Sequence, residues 1–471
     1  MPLLFLTIPL LAVIVLNLTF KATGQKISYW VAAVVALAQI ALSVVAIILC
    51  SNSGSVLKGY FFTSISIDFL SAVVLLTIGL IAFVTLVMAK VMDNKHIFNF
   101  TNVLLLGILG MNGVTMVTDL FSLYVFIEVT AAATFILIAI HRDKAELEGA
   151  FKYYMLSAIA TVLMLSAIAF IFMLVGDTGF GAVEKYITGL HGAFPFQIAI
   201  ALMLFIAGLS IKAGLVPFHG WVPDAYSASS APVSVFLAGI VTKVSGVYTI
   251  MRLFRDVFGS SSAVGNVLIV LGLISIFVGA LAAIGQKDFK RMLAYSSISQ
   301  IGYIILGIGT GSPLGFIGAL LHFFNHADFK ALLFVDSAAI EMQTGTRDMD
   351  KMGGLASKMP STGVSSILAF LSTAGVPPLS GFWSKFLIIL AVWSISMTAG
   401  SLALLASLIT LAYFLIMQRK VFFGKLADGM ENVKEAPGGI VAMEWLLAAI
   451  TVIIGVLFPL ILIYIQGIGL L

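Results

Sequence analysis

The chain has 471 residues, 61% of them hydrophobic and 10% charged, with a formal net charge of +4. Soluble domains carry about a quarter charged residues, so this composition belongs to a membrane protein. The small, scattered positive charge excludes a nucleic-acid-binding tract, and the single cysteine, Cys50, excludes a disulfide framework and a cysteine-rich metal site.

A helix that crosses a bilayer needs about 20 apolar residues. In chain order such stretches lie near 3–19, 28–50, 66–90, 97–117, 119–140, 149–175, 194–216, 230–254, 261–285, 291–309, 313–339, 361–395, 398–422 and 440–466. They predict an all-α integral membrane protein with 14 transmembrane helices. The runs are continuous rather than alternating, which excludes a closed barrel, and an open sheet would leave its backbone unsatisfied in lipid. Met1-Pro-Leu-Leu4 carries no basic segment and no cleavage site follows it, so the first stretch reads as a span and not as a removed signal. Seventeen Lys and Arg residues fall in one set of loops, Lys21, Lys26, Arg142, Lys287, Arg347 and Lys425 among them, against Lys58, Lys185, Arg252 and Arg255 in the other. The positive-inside rule makes the first set cytoplasmic and places both termini outside a membrane of the prokaryotic inner type.

Two spans are interrupted in related ways. The seventh reads Ser210-Ile-Lys-Ala-Gly-Leu-Val-Pro-Phe-His219, and the twelfth Ala374-Gly-Val-Pro-Pro-Leu-Ser-Gly-Phe-Trp-Ser-Lys385. Proline removes a backbone donor and breaks the helical ladder. Broken membrane helices persist where protein or water satisfies the freed carbonyls, so they line cavities. A matching pair five spans apart predicts two structural repeats, as in many transporters. The resulting division is 1–96 (helices 1–3), 97–255 (helices 4–8), 256–425 (helices 9–13) and 426–471 (helix 14). The polar loop from Glu341 to Pro360 reads as a solvated cytoplasmic loop.

Ionisable residues inside these spans carry the functional signal, because a charge at bilayer depth costs about 2.5–3.5 kcal/mol on insertion scales. Glu128 is a charge partner for Lys212; at about 7 Å and an effective dielectric of about 20 their attraction is roughly 2.4 kcal/mol, or about 1.7 pKa units. Changing that distance would switch a lysine between holding and releasing a proton. Lys243, among the small residues of Gly239-Ile-Val-Thr-Lys-Val-Ser-Gly246, is too deep to snorkel easily. His322, His326 and Lys330 recur every four residues and so share one helix face. That stripe reads as a proton wire, since a neutral imidazole both donates and accepts; a metal site lacks the further ligands. Lys385 is the last deep ionisable group and reads as the terminal proton carrier. His219 and Asp224 fit either a proton-uptake site or a loop cap. Asp336 is placed towards the cytoplasmic interface. Asp328 is left open between a lysine partner, a neighbouring subunit and a protonated carboxyl. No Walker loop, haem pair or iron–sulfur pattern is present, so no catalytic or cofactor-binding residue is expected in this chain.

The segments Thr118-Asp-Leu-Phe-Ser-Leu-Tyr-Val-Phe-Ile-Glu128, Lys212-Ala-Gly-Leu-Val-Pro-Phe-His-Gly-Trp-Val-Pro-Asp224, Lys290-Arg-Met-Leu-Ala-Tyr-Ser-Ser-Ile-Ser-Gln-Ile-Gly-Tyr303, Asn325-His-Ala-Asp-Phe-Lys-Ala-Leu-Leu-Phe334 and Gly375-Val-Pro-Pro-Leu-Ser-Gly-Phe-Trp-Ser-Lys385 together resemble the antiporter-like subunits of respiratory complex I, Mrp-type sodium/proton antiporters and energy-converting hydrogenases. The resemblance spans roughly 60–425 and implies two inverted five-helix repeats with broken helices 7 and 12. It also implies a proton path from Glu128 and Lys212 through Lys243 and the His322/His326/Lys330 region to Lys385. Lys385 and the loop Thr346-Arg-Asp-Met-Asp-Lys-Met-Gly-Gly354 look most like Mrp D-type and hydrogenase-associated members, and no long lateral helix follows span 14. Asp328 departs from the apolar residue usual there. The expectation is a proton-translocating subunit of a larger complex, beside homologous subunits, with redox or sodium coupling in other chains. Its rivals are an independent solute carrier and a non-conducting scaffold.

Overall fold

The computed structural model describes residues 1–53, 56–92, 95–190, 195–259 and 261–467, the side chains at 20–26, 52–53 and 466–467 aside. Lys21 and Lys26, which entered the orientation argument, are among the side chains outside the described set.

Helix α1 (Leu4–Ser53) leads into an antiparallel hairpin, β1 (Leu57–Phe61) and β2 (Thr63–Ile67), with Leu57 opposite Ile67. Helices α2 (Phe69–Met92), α3 (Ile97–Met116), α4 (Leu120–Ile138), α5 (Lys144–Val175), α6 (Phe180–Gly189) and α7 (Phe196–Ala213) follow. After α7 the chain turns through Gly214 into α8 (Trp221–Ala228) and α9 (Ala231–Phe236), which continues as two π-helical stretches, Leu237–Val241 and Lys243–Tyr248, into α10 (Thr249–Asp256). Next come α11 (Ser262–Ile284), α12 (Phe289–Gly309), α13 (Pro313–Thr344), α14 (Pro360–Ala374), α15 (Ser380–Ile395), α16 (Met397–Val421), α17 (Gly438–Val456) and α18 (Phe458–Gly467). Caps written in the sequence start several of them. Asp119 accepts the Ser122 N–H at α4, Asp288 the Arg291 N–H at α12, and Ser312 the Gly315 N–H at α13, where Pro313 occupies the first turn.

Among the described residues, 11 helices are long and apolar enough to cross a membrane, and Leu4–Thr19 and Ser380–Ile395 are shorter apolar helices. Of the 14 spans expected from the sequence, three are not among these 11: the first, which is the shorter helix Leu4–Thr19, the eleventh, α13, which carries Asp328, Lys330 and Asp336, and the twelfth, which the foreseen break divides into α14 and α15. The 57–67 hairpin is a second difference. Its alternating burial is a strand signal, too short to register as a long apolar run.

The chain forms two compact units. The first comprises Met1–Leu86, Asp93–Gly214 and Ile240–Val264; the second comprises Val87–Met92, Leu215–Gly239 and Gly265–Leu471. In the first, α5 packs on α7, α4 on α3 and the second π stretch on α7. In the second, α13 is the hub and touches α9, α12, α14, α15 and α17. Its residues from Asn325 to Ile340 are all buried.

The two breaks foreseen in the sequence end on glycines in the left-handed region, Gly214 at φ 72° after α7 and Gly375 at φ 84° after α14. A Cβ at Gly375 would also meet Lys385 Cδ at 3.1 Å. Gly375→Ala should therefore destabilise the chain by about 1–2 kcal/mol, seen as a lower unfolding temperature in detergent. Gly438→Ala, with open space around it, should leave that temperature unchanged.

Candidate functional site: buried lysines in each unit

In the first unit α4 and α5 bring two polar side chains to one lysine of α7. Lys212 is 3% exposed, and its Nζ donates to Glu128 Oε1 at 2.9 Å and to Ser157 Oγ at 2.6 Å. Thr161 Oγ1 donates to the same Glu128 oxygen at 2.7 Å. The pair foreseen at about 7 Å is a direct ion pair. Lys212 lies in the last turn of α7, where the helix dipole favours a cation. Glu128 is more open than expected for a mid-span carboxylate, with its side chain 32% exposed. Lys243 opens the second π stretch and is fully buried. That stretch packs on the end of α7, with Gly246 against the backbone of Ala213, the neighbour of Lys212. π-Helical turns inside α-helices recur at functional sites, because the wider turn re-aims side chains.

In the second unit the basic row starts at Lys330 on α13. Its Nζ donates to Ser296 Oγ at 2.6 Å and to Leu293 O at 3.3 Å, both on α12, and lies 5.6 Å from the Phe414 ring centre. Ser296 Oγ is also 2.7 Å from the Tyr413 hydroxyl. His326 and His322 follow along α13 with parallel rings 6.1 Å apart. His322 Nδ1 lies 2.9 Å from Ser384 Oγ on α15, and Asn325 Nδ2 donates to Ser380 O at 2.9 Å. Lys385 is the next residue after Ser384. Its Nζ donates to Thr373 O in the last turn of α14 at 2.7 Å and stands 4.5 Å from the centre of the Tyr303 ring. The same tyrosine ring is 6.1 Å from His322. The broken helix α14 thus presents its C-terminal end to the Lys385 ammonium across the break, whereas Lys212, in the last turn of α7, is held by α4 and α5. Lys385 also borders an apolar cavity of about 250 Å³ lined by Phe382, Phe386, Ile389, Trp393 and Leu404.

The remaining sequence candidates stand apart from this row. Asp224 accepts from Arg291 Nη1 at 2.6 Å. His219 faces Tyr295 with ring centres 6.5 Å apart, and burial pushes its imidazole below the usual histidine range. Asp336 is fully buried and accepts from Ser365 Oγ of α14 at 2.8 Å. Asp328 makes no lysine pair among the described residues; Thr451 Oγ1 of α17 donates to its Oδ2 at 2.6 Å. The loop from Glu341 to Pro360 is pinned rather than merely solvated. Lys290 pairs with Glu341 at 3.2 Å, Arg347 with Asp288 at 3.3 Å, and Asp350 with Lys420 at 2.5 Å. The hydrogen bonds from Lys420 and Lys287 hold the Asp350 carboxyl below the usual carboxylate range.

Sequence reasoning did not single out Ser157, Thr161, Ser296, Tyr303, Ser384 or Tyr413. Ser296 and Tyr303 lie inside a segment that carried the resemblance, seven residues or about two helical turns apart, which puts them on one face of α12. Ser157 and Thr161 share one helical face at i,i+4, a weak signal in a span that carries other hydroxyls.

The fold and this arrangement define a helical membrane protein built around buried ammonium groups. The family described as NADH:quinone oxidoreductase/Mrp antiporter, TM, matches residues 117–410. The chain is 33% identical over 348 residues to one subunit of the Na(+)/H(+) antiporter of Alkalihalophilus pseudofirmus, covering 74% of this chain and 70% of that protein. It is 35% identical over 350 residues to the NADH-quinone oxidoreductase subunit N of Desulforudis audaxviator, covering 72% and 68%. A chain in the structure of the Mrp complex from a Dietzia species superposes with a TM-score of 0.90 at 25% identity, covering 99% of this chain and 96% of that one. The chain belongs to the NADH:quinone oxidoreductase/Mrp antiporter membrane family, as an integral membrane, antiporter-like subunit of the kind found in multi-subunit complexes.

Removing the Ser157 hydroxyl strips the Lys212 ammonium of a buried acceptor. Ser157→Ala should cost about 1–3 kcal/mol, read as a lower unfolding temperature in detergent, while Ser157→Thr should keep most of it.

Proposed function

We propose that this chain translocates protons as a subunit of a larger energy-converting complex, with Glu128, Lys212, Lys243, His322, His326, Lys330 and Lys385 as carriers. The observation that carries the reading is the row in the second unit. Lys330, two histidines, Tyr303 and Lys385 follow one another in a buried setting, the histidines, tyrosine and Lys385 linked by ring contacts, with serine hydroxyls on Lys330 and His322. Hydroxyls and neutral imidazoles both accept and donate, so such a row passes a proton by successive exchange. Hydroxyl, carbonyl and ring-face contacts hold Lys330 and Lys385. These contacts tolerate a neutral amine as well as an ammonium, which a carrier needs.

In the first unit, Glu128 sets the charge of Lys212. An ion pair favours the ammonium; drawing the carboxylate away favours release, because burial disfavours the charged form. The two groups titrate as one system. The exposed side of Glu128 lies on α4 among exposed Phe121, Val125 and Ile136. A half-open carboxylate facing lipid is costly, which supports a neighbouring membrane subunit covering this face, a homologous one in our reading. His219, Asp224, Asp328 and Asp336 serve proton uptake or modulation. Redox or sodium coupling is assigned to other chains, no cofactor to this one, and the basic loops to the cytoplasmic side of a prokaryotic inner membrane.

The test is proton movement in vesicles that contain the assembled complex. Lys212→Met, Glu128→Gln and Lys385→Met should each lower coupled proton transfer by a factor on the order of a hundred without loss of assembly. Unchanged pumping with intact assembly would make the chain a scaffold, and solute uptake by the chain alone would make it an independent carrier.

A further inference from the structure

The α13 hub has a second polar face that the basic row does not use. Asp328 is two residues from both His326 and Lys330, which at 3.6 residues per turn points it about 160° away from them. On that side it meets α17, where Thr451 donates to Asp328 Oδ2 at 2.6 Å. Two turns along and about 80° round the helix, Asp336 takes the Ser365 hydroxyl from α14 at 2.8 Å and has Glu444 of α17 as its electrostatic neighbour. The spacing agrees on both helices. Eight residues separate the aspartates and seven separate Thr451 from Glu444, about 12 and 10 Å of rise in opposite chain directions. Asp328, Asp336 and Glu444 are each 1% exposed or less, and none joins an ion pair among the described residues.

Two observations set this apart from ordinary helix packing. Asp328 Oδ1, Asp336 Oδ2 and Glu444 Oε2 are all shielded and have no hydrogen-bond partner among the protein atoms. Buried carboxyl oxygens are rarely left unsatisfied; they hold a proton or bind water. Separately, Thr362 Oγ1 lies 2.8 Å from Glu435 Oε1 and 2.9 Å from Glu444 Oε1. A hydroxyl has one proton, so one of the two contacts requires a proton on the carboxyl side. Glu435 is half-exposed and already accepts the Ser361 N–H at 2.7 Å and the Ala436 N–H at 3.2 Å. Glu444 is enclosed, and an unpaired buried carboxylate is strongly unfavourable. The extra proton therefore belongs on Glu444.

We infer that Glu435, Thr362, Glu444 and Asp336 form an acidic proton-loading site on the second unit, distinct from the basic row, with Asp328 as its inner end. Glu435 takes a proton from water at the surface. Once Glu444 has passed its own proton to Asp336, Glu435 gives its proton to the Thr362 oxygen as Thr362 passes its own to the vacated Glu444. The sum is one proton moved inward, a neutral Glu444 and an ionised Glu435 ready to reload. Exchange between Glu444 and Asp336 carries the charge to α13, whose far side holds Lys330.

This inference rests on the proton-carrying reading, so its test has a readout independent of transport. Infrared difference spectra of the assembled complex should show carbonyl stretches of protonated carboxylic acids that exchange in heavy water. Glu444→Gln and Asp336→Asn should each remove one such band and slow proton transfer about tenfold or more. Thr362→Val should slow transfer likewise and Thr362→Ser should restore it, which covers the case that Glu444→Gln fails to assemble. Lys385→Met should stop transfer and keep the bands. Bands or rates that survive Glu444→Gln, or a Thr362→Val complex as fast as the unaltered one, overturn the loading site while leaving the basic row standing. Normal transfer in Lys385→Met overturns the proton-carrying reading instead.

Discussion

The cost of holding an ammonium group away from water governs this structure. Lys212, Lys243, Lys330 and Lys385 are all 3% exposed or less, and an ion transferred alone into such surroundings loses several kcal/mol of hydration. A carboxylate, hydroxyls, carbonyls and aromatic faces gather around Lys212, Lys330 and Lys385. The two helix breaks follow from the same constraint. A continuous helix has no free carbonyls to offer, whereas a helix that stops mid-span turns its last carbonyls and its dipole towards a cation. Gly214 and Gly375 supply the turn; Lys385 donates to the end so created, and Lys212 sits in the last turn of α7 while donating to Glu128 and Ser157.

The lysines, the breaks and the direction of the His322/His326/Lys330 stripe were legible because each violates a strong rule. Charges and prolines are out of place in a long apolar run, so they stand out without any knowledge of packing. The hydroxyl and tyrosine partners were not legible. Serine, threonine and tyrosine are ordinary in membrane helices, and nothing in the sequence says that Ser296 meets Lys330 or that Tyr303 stands between His322 and Lys385. The π turns at Leu237–Tyr248 were equally silent, since they leave the apolar pattern unbroken. The full burial of Asp336, on a helix packed against α14 and α17, was not legible either, because it depends on tertiary packing. Glu444 escaped notice altogether, one carboxyl near the start of the last span.

Two chemistries share α13. Imidazoles and an ammonium lie along one stripe, and elsewhere on the helix two carboxyls are each bound on one oxygen, by Thr451 and Ser365. At 100° per residue Asp328 points about 160° from the middle of the stripe at 322, 326 and 330, and Asp336 about 80° from it. The charge on either face changes the field at the other across one helix diameter, about 10 Å. That gives the second unit a means of coupling its acidic and basic sides without moving any element.

Ordered water in a high-resolution electron cryomicroscopy map of the assembled complex is the decisive observable for a buried proton path. Water density should join Lys330, His326, His322 and Lys385 through the serine and tyrosine hydroxyls. Dry, close-packed side chains between these groups, with no density linking them, would contradict it.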